Sequence, residues 1–146
     1  MKDINGKEIK TGDIVEIKNS YFKGDNRLWL VEHCPGDPTW LGKDISLRKI
    51  NKNGKLVAKN NCGFWPIMVT VSDSAKKAEA YTWNEKHATI EIVDLANKED
   101  AKNHFEDLAE EFREQADFYF IRGFAQELID NSKTAAEHYE KVAARF

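Results

Sequence analysis

Short runs of alternating apolar and polar residues occupy the first two-thirds of the chain, and a 3.6-residue period replaces them near Asp94. Glu8-Ile9-Lys10, a Thr11-Gly12 turn and Asp13 to Lys18 read as two short strands. Asn19 to Asn26 is turn-rich, with Lys23 to Asn26 as its tip, and Leu28 to His33 is the next strand. Cys34-Pro35-Gly36-Asp37-Pro38 carries two prolines and a glycine in five residues and predicts a loop. Asp44 to Ile50 alternates with Ile45, Leu47 and Lys49 on one face. Asn53-Gly54 predicts a type I′ hairpin turn returning through Lys55 to Lys59. Ile67 to Val71 is a further strand. A helix over about residues 74–86, capped by Ser72 or Asp73, precedes a last strand at Thr89 to Val93. Strands of this length at close spacing, with a short helix before the last, predict a small SH3-like β-barrel over residues 1–94.

Beyond Asp94 the spacing of Phe105, Leu108, Ala109, Phe112, Ala116, Tyr119 and Phe120 predicts an amphipathic helix from Lys98 to about Ile129. Past Asp117 it is apolar on most faces (Phe118, Ile121, Phe124, Ala125, Leu128, Ile129), which predicts burial on two sides. Asp130-Asn131-Ser132 reads as the break. Thr134 with Glu137 reads as a capping box for a last helix striped by Ala135, Ala136, Tyr139, Val142, Ala143 and Phe146. The fold class is therefore α+β: a small barrel at 1–94 and an acidic helical hairpin at 98–146. The apolar surplus predicts a homo-oligomer formed through residues 118–146.

Composition narrows the class. Apolar residues make up 41% of the 146 and charged residues 32%, with four Trp and eight Phe, which excludes a disordered chain. Neither Phe64 to Val69 nor Phe118 to Ile121 approaches the ~20 apolar residues of a membrane span. Met1-Lys2-Asp3-Ile4-Asn5 lacks a secretory apolar stretch, so the expected setting is cytoplasmic, away from membranes, with Cys34 and Cys62 reduced. The net charge of −3 is unevenly divided. Residues 1–97 hold 15 basic against 13 acidic side chains, a balance of +2, and residues 98–146 hold 7 against 12, a balance of −5.

Five stretches carry candidate chemistry. His33, Cys34, Cys62 and His87 lack the paired spacing of a zinc site, so no metal is expected. Cys34, with His33 or His87 as base, would be a nucleophile only if something oriented the imidazole, and no catalytic residue or cofactor is assigned. Arg48, Lys49, Lys52, Lys55 and Lys59 form a basic hairpin with no acid among them. With Trp40 and Trp65 for stacking, it would hold nucleic acid or a phosphorylated ligand, unless its lysines simply guard a solvated edge. Trp40, after the proline loop, either plugs the barrel or offers a flat face, and plugging is the stronger reading. Glu106, Glu110 and Glu114 recur every four residues beside Asp107 and Glu111, forming an anionic stripe that is either a solvated face or a docking surface for a basic protein.

Two resemblances add to this. Tyr119, Gly123, Ala135 and Tyr139 sit at the spacings of the packing residues in one tetratricopeptide helix pair, and the tail resembles that motif while lacking its usual residues at Gln126 and Val142. Cys34-Pro35-Gly36-Asp37-Pro38, Leu47-Arg48-Lys49-Ile50 and Phe64-Trp65-Pro66 resemble stretches of small proteins encoded by phages and mobile elements of low-GC Gram-positive bacteria. That resemblance brings no settled activity and no site residue with it. The acidic stripe is what points to a basic host or element-encoded protein as partner, as for an inhibitor of a nucleic-acid-handling defence system. The expected function is non-enzymatic binding through the acidic stripe. Binding of nucleic acid or a phosphorylated ligand by the basic hairpin is the alternative, and a small enzyme with a dispersed site is the second.

Overall fold

The computed structural model describes residues 2–19, 23–38, 40–42, 45–57, 89–95 and 97–146. The strand expected at 67–71, the helix at 74–86, and Lys59, Cys62, Trp65 and His87 lie outside these residues. Four strands, β1 (Ile14–Lys18), β2 (Leu28–His33), β3 (Ser46–Lys49) and β4 (Thr89–Val93), form an antiparallel sheet in the order β3-β2-β1-β4. Two helices follow, α1 (Glu99–Ile121) and α2 (Gln126–Ala143). The chain is α+β. Among the described residues the sheet is open, with β3 and β4 as unjoined edges, so they do not form the closed barrel expected from strand spacing.

Register decides which side chains share a face. Val15 pairs with Trp29 and Ile92, and Val31 with Leu47. That face holds one core cluster of Ile9, Val15, Ile17, Trp29, Val31, Ile45, Leu47 and Ile90. Trp29 is fully buried and its indole N–H donates to the Asp25 carbonyl at 3.0 Å. Ile14, Leu30 and Arg48 pair across the opposite face, where α1 and α2 pack. The second cluster joins Ile14, Leu30 and Ile50 to Ala101, Phe105, Ala109, Ala135, Tyr139 and Val142. β2 is thus buried on both sides, which is why Leu28 to His33 reads as a nearly continuous apolar run. The hairpin docks on the sheet of its own chain. The change of period near Asp94 marks the link between two parts that share a core.

Three local expectations are corrected. The helix break falls at Arg122–Ala125, and Asp130-Asn131-Ser132, Thr134 and Glu137 all lie inside α2. Gly123 adopts φ +70°, its N–H donates to the Phe120 carbonyl at 3.2 Å, and the Phe124 N–H donates to the Tyr119 carbonyl at 2.9 Å. These are the two bonds of a Schellman cap, closed by Tyr119 and Phe124 rings 5.1 Å apart. Gly123 is therefore the turn between the helices; of the four tetratricopeptide-like positions, Ala135 and Tyr139 lie in α2 and both are buried. The Asn53-Gly54 turn carries positive φ at Gly54 alone, so it is not type I′. Instead the Asn51 side chain accepts the N–H groups of Asn53 and Lys55 at 2.9 and 3.0 Å, and among the described residues the return makes one bridge, between Ile50 and Leu56. Finally, the apolar end of α1 is not buried: Phe118, Phe120 and Ile121 are 48%, 72% and 78% exposed. The hairpin tip extends past the sheet, so nothing among the described residues covers it.

Candidate functional site

A charged residue inside an apolar strand needs a partner, and Glu32 in β2 has two neighbours across the sheet–helix seam. A β-bulge between Val31 and His33 sets two residues of β2 against one step of β3. Glu32 and His33 therefore both reach the hairpin face. The Arg48 guanidinium grips the Glu32 carboxylate in a bidentate pair, Nε to Oε1 and Nη2 to Oε2 at 3.1 Å, with both side chains 9% exposed. His104 of α1 brings its Nε2 to 3.7 Å from Glu32 Oε2. His33 Nδ1 and Tyr139 Oη share a hydrogen bond at 2.9 Å, and Trp40 stacks on His33 at 5.1 Å. Trp40 is half-buried against this seam rather than plugging the core, where Trp29 sits.

His104 makes the seam sensitive to acid. Burial holds its pKa below the ordinary histidine value, with Arg48 and His33 acting the same way and Glu32 and Asp107 opposing them. The unfolded chain thus takes up a proton more readily than the folded one. Stability from this group is fully present above the unfolded histidine pKa of about 6.5 and is lost as pH falls below it. Wild-type protein should lose more stability between pH 7 and pH 5 than His104→Phe, read as urea midpoints. Equal losses would show that His104 does not titrate unfavourably.

A cavity of about 440 Å³ lies between the 8–11 segment, the proline loop and the end of α2, lined in part by Cys34, Asp37, His138, Lys141 and Arg145. Asp37 Oδ2 accepts from the Cys34 backbone N–H at 2.9 Å and from the Thr11 hydroxyl, while Oδ1 lies 3.5 Å from His138 Nε2. The sequence pairs Cys34 with His33 or His87; here His138, one hundred and four residues away, shares its cavity. Burial, with Asp37 and Asp13 adding to it, pushes the Cys34 thiol up to about 11. At neutral pH it stays protonated and is a poor nucleophile. Among the described residues no group of three or more His, Cys, Asp or Glu converges to hold a metal ion.

The basic hairpin is dispersed by the fold. Arg48 is buried against Glu32, and Lys49 lies over the Trp29 ring at 5.8 Å. Lys52 and Lys55 stay exposed at the turn. Lys52 instead joins Lys23 and Arg27 around a groove of about 450 Å³ that also meets Glu16. The turns before β2 and after β3 lie at the same end of the sheet, which no local sequence signal reveals.

The acidic stripe survives intact. Ala101, Phe105, Ala109 and Ala116 bury one side of α1 and leave Glu106, Asp107, Glu110, Glu111 and Glu114 exposed on the other. Beside it, α1 and α2 flank a groove of about 470 Å³ floored by Ala109, Ala143 and Ala144. Its walls carry Glu106, Glu110 and Glu140, with Lys102 3.8 Å from Glu106 and Arg113 2.5 Å from Glu140. Asp107 and Glu111 also border a smaller pocket of about 250 Å³ at the Glu32–Arg48–His104 seam. Among the described residues no helix is long and apolar enough to cross a membrane. No protein-family model, curated protein or solved structure matches this chain.

Proposed function

We propose that this chain is a non-enzymatic binding protein that docks on a basic partner protein through the acidic face of α1. The observation that carries this reading is a row of five exposed carboxylates on α1, two of which, Glu106 and Glu110, line an alanine-floored groove. Small side chains leave room for the aliphatic stem of an incoming Lys or Arg, while Glu106 and Glu110 meet its head; Glu140, on the other wall, is held by Arg113. Arg48 and Lys49, the central cations of the opposite reading, are occupied within the fold. A host or element-encoded protein is the partner this proposal implies, and inhibition of a nucleic-acid-handling system fits an anionic docking surface. An SH3-like barrel belongs to the same proposal. It is supported by the antiparallel order β3-β2-β1-β4 and requires a closing pair that the described strands do not make.

A phosphate-bearing ligand is the second reading, favoured by the Lys23, Arg27 and Lys52 groove, where Arg27 Nε is buried with no hydrogen-bond partner among the described residues. Pull-downs from host cells, with and without nuclease, separate the two. Wild type and Lys23→Glu/Arg27→Glu/Lys52→Glu should recover the same protein regardless of nuclease, and Glu106→Lys/Glu110→Lys/Glu114→Lys should lose it. Recovery of nucleic acid alone, lost only in the first variant, would reverse the order of the readings.

A further inference from the structure

The acidic row on α1 runs into an apolar tip. Following Glu106, Glu110 and Glu114 by fours leads to Phe118, the first residue of an apolar tip. Between Phe118 and Leu128 stand Phe118, Tyr119, Phe120, Ile121, Phe124 and Leu128, and all but Tyr119 are large apolar side chains between 41% and 78% exposed. The Schellman cap at Gly123 folds the end of α1 against the start of α2, so these side chains share one end of the hairpin. Their rings are fixed on one another: Phe118 lies 6.0 Å from Tyr119 and 6.2 Å from Phe124. The Arg122 guanidinium lies over Phe118 at 5.2 Å. A pre-organised aromatic surface loses little conformational freedom on binding, and a contiguous exposed apolar patch marks an interaction site.

The charge around the patch selects its occupant. Glu114, Asp117, Glu127 and Asp130 are exposed about it, against the single cation Arg122 in residues 114–130. Two copies meeting tip to tip would bring eight carboxylates together across a low-dielectric contact, which opposes a dimer. A partner with cations flanking an apolar stripe meets both features at once. We infer that the hairpin tip seats an amphipathic, lysine- or arginine-flanked helix of the partner protein, its apolar stripe on Phe118, Ile121, Phe124 and Leu128. This rests on the acidic-face reading and adds to it a hydrophobic half of the interface. Recognition is then by an apolar stripe at i, i+3, i+4 and i+7 and not by charge alone.

Two labelled lysine-rich peptides of equal length and charge test it, one with leucines at helical spacing and one with serines there. Fluorescence anisotropy against the full chain should give at least about tenfold tighter binding of the leucine peptide. Ile121→Ser/Phe124→Ser should remove that advantage and leave serine-peptide binding unchanged. Phe118→Ser/Leu128→Ser repeats the test at independent positions, should either double variant lose its helical circular dichroism. Equal binding of both peptides to wild type overturns the inference while the acidic-face reading stands. Binding of neither overturns both. A leucine advantage that persists in both double variants places the seat elsewhere and overturns the inference. So does a wild-type dimer in sedimentation equilibrium that Ile121→Ser/Phe124→Ser converts to monomer, because the tip is then covered by a second copy.

Discussion

Replacing Arg48 with methionine should destabilise the fold by about 3–5 kcal/mol, because it leaves the Glu32 carboxylate buried with its bidentate partner gone. The expected urea midpoint falls far below that of Lys52→Met, whose side chain is exposed. Adding Glu32→Leu should recover much of the loss, since two apolar side chains carry no desolvation cost in the same seam. The pair of results bears on function as well as stability. Were Arg48 a phosphate-binding residue on a solvated hairpin, its replacement would weaken ligand binding and leave the unfolding free energy within about 0.5 kcal/mol of wild type.

Tyr139→Ala should cost a similar about 3–5 kcal/mol, through the cavity left by a fully buried ring. That ring lies 5.7 Å from Phe112 and 6.2 Å from Phe105, and it joins α2 to α1 and to the sheet through His33. Tyr139→Phe keeps the stacking and removes the bond to His33, with an expected loss of about 1 kcal/mol. A loss of one cooperative unfolding transition in Tyr139→Ala, with the sheet signal unchanged, would mean that the hairpin and sheet are separate units rather than halves of one core.

Several of these features are legible in the sequence and others are not, for identifiable reasons. The change of period near Asp94 is plain because helices and strands repeat their apolar positions differently. Gly123 was a readable stop as well: an apolar residue four before it and another directly after it are the marks of a Schellman cap. The polar triplet Asp130-Asn131-Ser132 outweighs it on composition, yet Ser132 is buried in the helix contact, donating to Gln115 Oε1 at 3.0 Å. Apolar composition at Phe118 to Leu128 suggests burial, but burial depends on whether a neighbour exists, and the tip lies beyond the sheet. The acidic stripe is legible because i+4 spacing within one helix fixes its geometry. The Glu32–Arg48–His104 seam is not, since its members come from three elements brought together only by register, a bulge and helix docking. Glu32 inside an apolar strand was its one local signal.

The measurement that bears most directly on the acidic face is binding of the serine-containing lysine peptide and of a double-stranded DNA oligonucleotide, each titrated against wild type and the two charge-reversed triple variants. Wild type should bind the peptide with an affinity that falls as salt rises, and Glu106→Lys/Glu110→Lys/Glu114→Lys should lose at least about tenfold. Lys23→Glu/Arg27→Glu/Lys52→Glu should bind the peptide as wild type does, and the oligonucleotide should bind neither wild type nor this variant. Oligonucleotide binding by wild type that disappears in the Lys23, Arg27 and Lys52 variant, with peptide binding indifferent to the acidic reversal, would contradict the account.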